Sequence, residues 1–123
     1  MDTKFEDIVS EIKKTVDLFP YNIAIIEDGI PTLYYSQMWE DATCIANRLK
    51  EQCDSSEYVT VELPKSSRYI CAILGCWMAG KAFVPIGKDL PDSRKRYIEE
   101  TVDTNLSITE YNYDDFFKSQ PID

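Results

Sequence analysis

Histidine is absent from the sequence, and its absence narrows the metal chemistry that the chain can support. A zinc site would have to use all four cysteines, and their spacings match no common zinc pattern. Met1–Lys4 leads directly into an amphipathic helix, with no signal peptide before it. We therefore expect a cytoplasmic protein, and we interpret its cysteines as reduced structural thiols. They are Cys44, Cys53, Cys71 and Cys76.

Basic residues are in the minority and form no cluster. There are 13 Lys and Arg against 22 Asp and Glu, which gives a formal net charge of -9. A chain of this sign repels phosphate backbones and anionic headgroups, so we expect neither nucleic acid nor a membrane as a partner. The uncharged run Tyr69–Ala79 is too short to cross a bilayer, which needs about 20 apolar residues. With 123 residues, the chain has room for one domain with one core.

Glycine is also scarce, and the four glycines are scattered. Nucleotide phosphates need backbone donors, which a Gly/Ser/Thr-rich loop supplies, and no such loop is visible. Lys65, Lys81 and Lys88 are candidates to contact an anion, although a solvated loop lysine is the commoner case. The adjacent Glu99 and Glu100 face different directions on a predicted helix, which disfavours a general acid/base pair.

The centre of the sequence predicts a helix, a glycine turn and a strand in direct succession. Ser66 and Ser67 are suited to begin the helix and Gly80 to end it, so that the uncharged run is buried on most of its circumference. Ala82–Ile86 has the β-branched and aromatic residues of a strand buried in a sheet. Pro85 has no amide hydrogen, which places it at the end or edge of that strand.

Further helices and strands are predicted on both sides of this unit. Asp28-Gly29 is a hairpin turn signal, which predicts an antiparallel pair of strands. After it, strands and helices alternate, which is typical of a parallel α/β sheet. The expected fold class is therefore α/β, with a small, mostly parallel sheet flanked by helices and an N-terminal antiparallel hairpin. The remaining predicted elements are a helix with a capping box at Thr3–Glu6, strands Ile23–Ile26 and Pro31–Tyr35, a helix capped by Ser36, strand Tyr58–Leu63, a helix over Pro91–Val102 and strand Leu106–Thr109.

Two segments resemble motifs of a known enzyme family. Residues 79–86 (AGKAFVPI), followed by Leu90-Pro91 and Arg94, resemble the second core motif of the adenylate-forming (AMP-binding) enzymes. Leu33–Met38 is similar to the first motif of that family. The branch that it resembles activates amino acids and includes nonribosomal peptide synthetase adenylation domains and D-alanine:carrier-protein ligases. Gln37, Met38 and Gly87 differ from the family pattern.

The resemblance covers about residues 5–109 and implies part of a larger enzyme, with the fold of a partial subdomain of the adenylate-forming fold. The complete enzyme would use ATP and Mg to activate an amino acid or other carboxylate as acyl-AMP, and would pass the acyl group to a carrier-protein thiol. In the family, the ribose-binding aspartate, the adenine platform and the catalytic lysine come later than this chain extends. Pro64-Lys65 lacks the Ser/Thr/Gly run of the family's phosphate loop. We therefore assign no catalytic, cofactor-binding or metal-binding residue, and expect this chain alone to be inactive.

The last residues form an aromatic and acidic segment. We expect an α/β subdomain over residues 1–110 and a C-terminal tail over residues 111–123. The tail's aromatics either fold back onto the core or form a docking surface, and these two interpretations are equally favoured. They are Tyr111, Tyr113, Phe116 and Phe117.

Three functional hypotheses follow. The first is the N-terminal part of an adenylate-forming ligase, whose partner is the remainder of the domain or a partner chain. The second is a natural small interaction module that completes or docks on a split ligase, and the third is an unrelated flavodoxin-like domain. An open sheet edge also allows a homo-oligomer. We predict that Arg94 pairs with a carboxylate in a structural role, and that Trp39 and Trp77 pack in the core.

Overall fold

The computed structural model describes residues 5–52 and 56–117. Within them, helices and strands follow one another largely as the sequence predicts. The predicted capping box depends on Thr3, which lies outside the described residues. The elements are α1 Phe5–Leu18, β1 Ile23–Glu27, β2 Ile30–Tyr34, α2 Tyr35–Glu51, β3 Tyr58–Glu62, α3 Ser67–Met78, β4 Ala82–Pro85, α4 Asp92–Val102, β5 Ser107–Thr109 and a 3₁₀ helix Tyr113–Phe117.

The first two strands form the predicted antiparallel hairpin. Its turn residues Asp28 and Gly29 have φ angles of 50° and 77°. Positive φ at both central residues is the geometry of the tight turn that an Asp-Gly pair favours. Thr32 supports the turn, since its hydroxyl donates to the Ile30 carbonyl at 2.9 Å and accepts from the Glu27 amide at 3.2 Å.

The other three strands form a parallel sheet in the order β4-β3-β5. The central strand β3 is fully buried at Val59 and Val61, as its position between two neighbours requires. β4 lies at the sheet edge and is half-buried or exposed along its length, so the prediction of a buried strand was wrong. The predicted place of Pro85 at the end of an edge strand is confirmed, because an edge leaves room for a residue without an amide hydrogen.

The core forms where α2 and α3 pack together. On α2, an apolar stripe is buried along its whole length. On α3, Gly75 allows a close approach, because a Cβ atom at that position would lie 2.6 Å from Cγ2 of Ile45. The stripe consists of Met38, Ala42, Ile45, Ala46 and Leu49.

Both ends of α3 lie where the sequence predicts them, but only the C-terminal end has the capping hydrogen bonds that the prediction implies. At the C-terminus, Gly80 has φ 75°, its amide donates to the Trp77 carbonyl and the Lys81 amide donates to the Cys76 carbonyl, which is a Schellman motif. At the N-terminus, Ser66 occupies the N-cap position but makes no capping hydrogen bond.

The start of α2 corrects the prediction that Ser36 caps this helix. The N-cap lies two residues earlier, at Tyr34, and the helix begins at Tyr35. The side-chain oxygen of Gln37 accepts the Tyr34 amide hydrogen at 2.9 Å. Gln37, which departs from the acidic residue of the resembled motif, still supplies the oxygen that this helix start needs.

The aromatic segment near the C-terminus folds back onto the core for most of its length. Tyr113 and Phe116 are 5% and 6% exposed, and Phe117 packs beside them. Tyr111 is 96% exposed and is not part of this packing. Separately, no helix among the described residues is long and apolar enough to cross a membrane.

Candidate functional site

The carboxyl ends of the parallel strands are the place where sheets of this kind bind ligands. We call the loops that follow β3, β4 and β5 the carboxyl edge. The loops after β3 and β4 enclose a cleft of about 630 Å³. Its lining includes Pro64, Lys65, Tyr69, Gly87 and Lys88.

Two ion pairs tie the carboxyl edge to neighbouring elements. Glu62, at the end of β3, accepts a hydrogen bond from Lys95 of α4 at 2.9 Å, and both side chains are less than a third exposed. This contact raises the pKa of Lys95. Lys88, after β4, pairs with Glu110, after β5, at 2.6 Å. Both lysines are therefore matched by carboxylates, which leaves this edge little positive charge for a phosphate.

The N-terminus of α3 is held in a similar way. The Ser67 amide, at the start of this helix, donates to the Glu27 carboxylate of the hairpin. Hydrogen bonds from the Ser67 side chain and from the Ser67 amide together lower the pKa of Glu27. Arg68, in the first turn, pairs with Asp114 at 3.6 Å and lies over the ring of Tyr113. An acidic side chain of the protein therefore already occupies the helix terminus that would attract an anion.

The three lysines that are candidates to contact an anion make different contacts in the structure. Lys65 is exposed and lines the cleft. Lys81, at the opposite end of β4, donates to the Ser56 carbonyl. Lys88 is engaged with Glu110. The structure does not bring the three into one anion site.

Arg94 does not make the predicted carboxylate pair. Its guanidinium lies 5.5 Å from the centre of the Tyr97 ring on the same exposed helix face, and no described carboxylate is within salt-bridge distance. The next residue, Lys95, takes the role instead, because it faces the sheet and reaches Glu62. The prediction chose the correct turn of α4 and the wrong face.

The remaining candidates have structural roles. Trp77 packs against Phe83, with ring centres 6.3 Å apart, and Trp39 packs against the core. Glu99 and Glu100 are both exposed. These placements agree with the packing role predicted for the tryptophans.

Two of the cysteines are buried free thiols, and their burial raises the pKa of each to about 12. They are Cys71 and Cys76, while Cys44 is free and exposed. Cys53 lies outside the described residues. The part of the chain that the structure describes contains no group of three or more His, Cys, Asp or Glu side chains placed to hold a metal ion.

Sequence reasoning missed the acidic partners Glu27 and Glu62. Each acts on a residue far away in the chain, since Glu27 meets Ser67 and Glu62 meets Lys95. No local pattern marks such pairs, because the fold alone brings them together. Taken together, these hydrogen bonds and ion pairs connect the loops of the carboxyl edge to one another and to the neighbouring elements.

Comparison with known proteins places this fold among larger enzymes. The family model described as "AMP-binding enzyme" matches residues 12–122. The nonribosomal peptide synthetase sidE of Aspergillus fumigatus is 28% identical over 111 residues, which cover 89% of this chain and 5% of that protein.

Solved structures of nonribosomal peptide synthetases share the fold. The synthetase FmoA3 in its AMPPNP-bound form has a TM-score of 0.78 at 22% identity, and the match covers 94% of this chain and 12% of that one. An artificially fused adenylation–PCP di-domain from Klebsiella oxytoca, NpsA-ThdA, has a TM-score of 0.73 at 20% identity, covering 88% of this chain and 20% of that one. The chain thus spans only a small fraction of the proteins that it matches.

Proposed function

Because the chain belongs to the family of AMP-binding enzymes, we propose that it forms the N-terminal part of an adenylate-forming ligase. In this proposal, the complete enzyme activates an amino acid or another carboxylate with ATP and Mg²⁺ and transfers the acyl group from acyl-AMP to a carrier-protein thiol. The family match over residues 12–122 carries the proposal, because it includes both sheets and every helix in whole or in part. Family membership also removes the alternative of an unrelated flavodoxin-like domain.

The residues present do not fit the phosphates of ATP. Lys88 and Lys95 are neutralised by Glu110 and Glu62, and the N-terminus of α3 is occupied by Glu27. The described residues also contain no metal-binding cluster. The proposal therefore assigns ATP and Mg²⁺ to the remainder of the enzyme, and this chain serves as a scaffold that is inactive alone.

The amino-acid branch is supported by the relatives. Both sidE and FmoA3 are nonribosomal peptide synthetases by name. The NpsA-ThdA structure joins an adenylation domain to a PCP domain, which supports a carrier protein as the partner of the complete enzyme. We propose a cytoplasmic location, an α/β subdomain over residues 1–110 and a tail over residues 111–123.

Two measurements test this function. Calorimetric titration of the isolated chain with Mg-ATP should show no binding, and ATP–pyrophosphate exchange should be absent with any amino acid. An immunoblot of the source cells should detect a protein several times longer than 123 residues. ATP binding by the isolated chain would contradict the argument from the neutralised carboxyl edge, and a band at the size of this chain would contradict a contiguous ligase.

A small interaction module is the second candidate, and one observation favours it. The last described residues close the core themselves, with Tyr113 and Phe116 buried against the rest of the chain. This packing buries both aromatic rings within the chain itself. If it is a module, mixing it with a separately encoded remainder of the ligase should restore ATP–pyrophosphate exchange, whereas neither part alone should show it.

A further inference from the structure

The tip of the hairpin between β1 and β2 places an aspartate directly before a glycine, and both residues are exposed. Asp28 and Gly29 form a two-residue turn, which the paired residues Glu27 and Ile30 close. Among the described residues, no group accepts a hydrogen bond from the Gly29 amide, and none pairs with the Asp28 carboxyl. The turn therefore presents a carboxyl carbon close to an amide nitrogen that nothing else engages.

An amide nitrogen in this position can attack the side chain that precedes it. The Gly29 nitrogen forms a bond with the side-chain carboxyl carbon of Asp28, and the amide hydrogen and the carboxyl hydroxyl leave as water. Water then opens the resulting succinimide ring on one of its two sides. Cleavage of the bond to the side-chain carbonyl carbon restores aspartate, and cleavage of the bond to the main-chain carbonyl carbon gives isoaspartate. The sequence of steps releases and consumes one water and needs no oxidant or reductant.

The surroundings of Gly29 leave room for this ring. Glycine has no Cβ to crowd the attacking nitrogen, and a Cβ built at this position would meet no atom within 4 Å. Asp92-Ser93 is the natural comparison within the chain, because both of its residues are also exposed. It lies in the first turn of α4, where the helical backbone angles keep the ring from closing.

The hairpin turn itself opposes the reaction, because its φ angles of 50° and 77° belong to a tight turn and the ring requires a different backbone geometry. The turn must therefore open before the ring can close. Two contacts hold it shut. The Thr32 hydroxyl donates to the Ile30 carbonyl at 2.9 Å and accepts from the Glu27 amide at 3.2 Å. The Glu27 carboxylate in turn accepts the Ser67 amide of α3.

We propose that Asp28 is a site of spontaneous covalent modification, at which isoaspartate accumulates at a rate that Thr32 sets by holding the turn closed. Isoaspartate routes the main chain through its Cβ, which lengthens a turn that has only two residues between its closing pair. The longer turn displaces Glu27 and so frees the Ser67 amide at the start of α3. The proposal depends on the hairpin alone and not on the proposed ligase activity.

The modification is measured in the purified chain after storage at neutral pH, with an isoaspartyl methyltransferase and labelled S-adenosylmethionine as the probe. This enzyme methylates the free main-chain carboxylate that only isoaspartate carries, and peptide mapping assigns the label to a residue. Label should accumulate at Asp28 and stay low at Asp92. Asp28→Glu keeps the charge but cannot form the same ring, so it should remove the label. No label at Asp28, or as much label at Asp92, would overturn the proposal.

The role of Thr32 is tested with Thr32→Val, which keeps the branched shape of the side chain and removes the hydroxyl. Label at Asp28 should then accumulate on the order of fivefold faster, as the loss of one net hydrogen bond predicts for opening of the turn. The matched control is Thr43→Val, which removes a hydroxyl that donates to the Trp39 carbonyl at 2.7 Å within α2. The control should leave the rate unchanged. Equal rates in the wild-type chain and Thr32→Val, or equal acceleration in both variants, would overturn the role of Thr32.

The link to α3 is measured on the isoaspartyl chain after chromatography has separated it from the unmodified chain. In amide hydrogen exchange followed by NMR, the Ser67 amide should exchange on the order of tenfold faster in the isoaspartyl form. The Thr60 amide donates to the Leu106 carbonyl at 3.1 Å within the parallel sheet and should exchange equally in both forms. Equal exchange of Ser67 in the two forms would overturn the link between the turn and α3.

Discussion

Replacing Gly75 with alanine tests the packing of α2 against α3. The added Cβ would lie 2.6 Å from Cγ2 of Ile45, 2.8 Å from its Cβ and 3.1 Å from the carbonyl oxygen of Ala42. The Cβ and the carbonyl belong to parts of α2 that cannot swing away as the end of a flexible side chain can. The two helices must therefore move apart, which loosens the contacts at the centre of the core.

Two opposing terms set the size of the effect. Alanine is a better helix former than glycine by about 1 kcal/mol. Overpacking a well-packed core costs about 1–3 kcal/mol, and a contact with a Cβ and a backbone carbonyl belongs in the upper half of that range. We expect Gly75→Ala to lower the free energy of unfolding by about 1–2 kcal/mol.

Urea denaturation, followed by tryptophan fluorescence, measures this change as a lower midpoint at an unchanged slope. The matched control is Gly87→Ala, because a Cβ at Gly87 comes no closer than 3.4 Å to Leu90. That variant should be nearly as stable as the wild-type chain. If Gly75→Ala were as stable as wild type or more so, the close approach of the helices would be refuted.

Three further predictions concern charged and thiol groups. Glu27 has a lowered pKa, so its carboxylate contributes stability above its ordinary pKa of about 4.3, and this contribution is lost as the pH falls through the lowered value. The Glu27→Gln variant should therefore lose stability less steeply than the wild-type chain as the pH falls through that window. Identical acid denaturation curves would contradict the contact between Glu27 and α3. Lys95 has a raised pKa, so its contribution is present below about 10.4 and is lost as the pH rises through the raised value. Lys95→Met should speed amide exchange throughout α4 at neutral pH while Arg94→Met should not, and equal effects would show that the pair with Glu62 does not hold the helix. Iodoacetamide at pH 8 should alkylate the exposed Cys44 and leave the buried Cys71 unmodified, because the pKa of Cys71 is about 12. Peptide mass mapping identifies the modified cysteine, and fast labelling of Cys71 would contradict its burial.

Local chemistry was sufficient to predict most of the elements. The Asp28-Gly29 turn and the stop at Gly80 depend on neighbours within one turn or hairpin, and the structure confirms them. The helix cap at Ser36 was wrong because Tyr34, the last residue of β2, already stands at the N-cap. The chain passes from strand to helix without an intervening residue, which no rule on capping preferences predicts.

The errors about β4 and Arg94 have a common origin. An apolar strand such as β4 looks buried in the sequence, but burial depends on how many strands flank it, and here it is last in the row. Likewise, the way the chain crosses over the sheet decides which side chain of α4 faces it, and the sequence of α4 alone does not. Glu62 and Lys95 are 33 residues apart, so their contact has no local signal.

Helix α4 is attached to the sheet less firmly than the helices that bury an apolar face. α4 has no buried residue among its eleven, and the Lys95–Glu62 pair is its ion pair with the sheet. One ion pair that water still reaches contributes little, so most of the free energy that fixes an amphipathic helix must come from burying its apolar face. In α4 that face is only half-buried at Ile98 and Val102. We therefore expect the amides of α4 to exchange faster than those of β3 in native-state hydrogen exchange, and equal protection of the two elements would contradict this weak attachment.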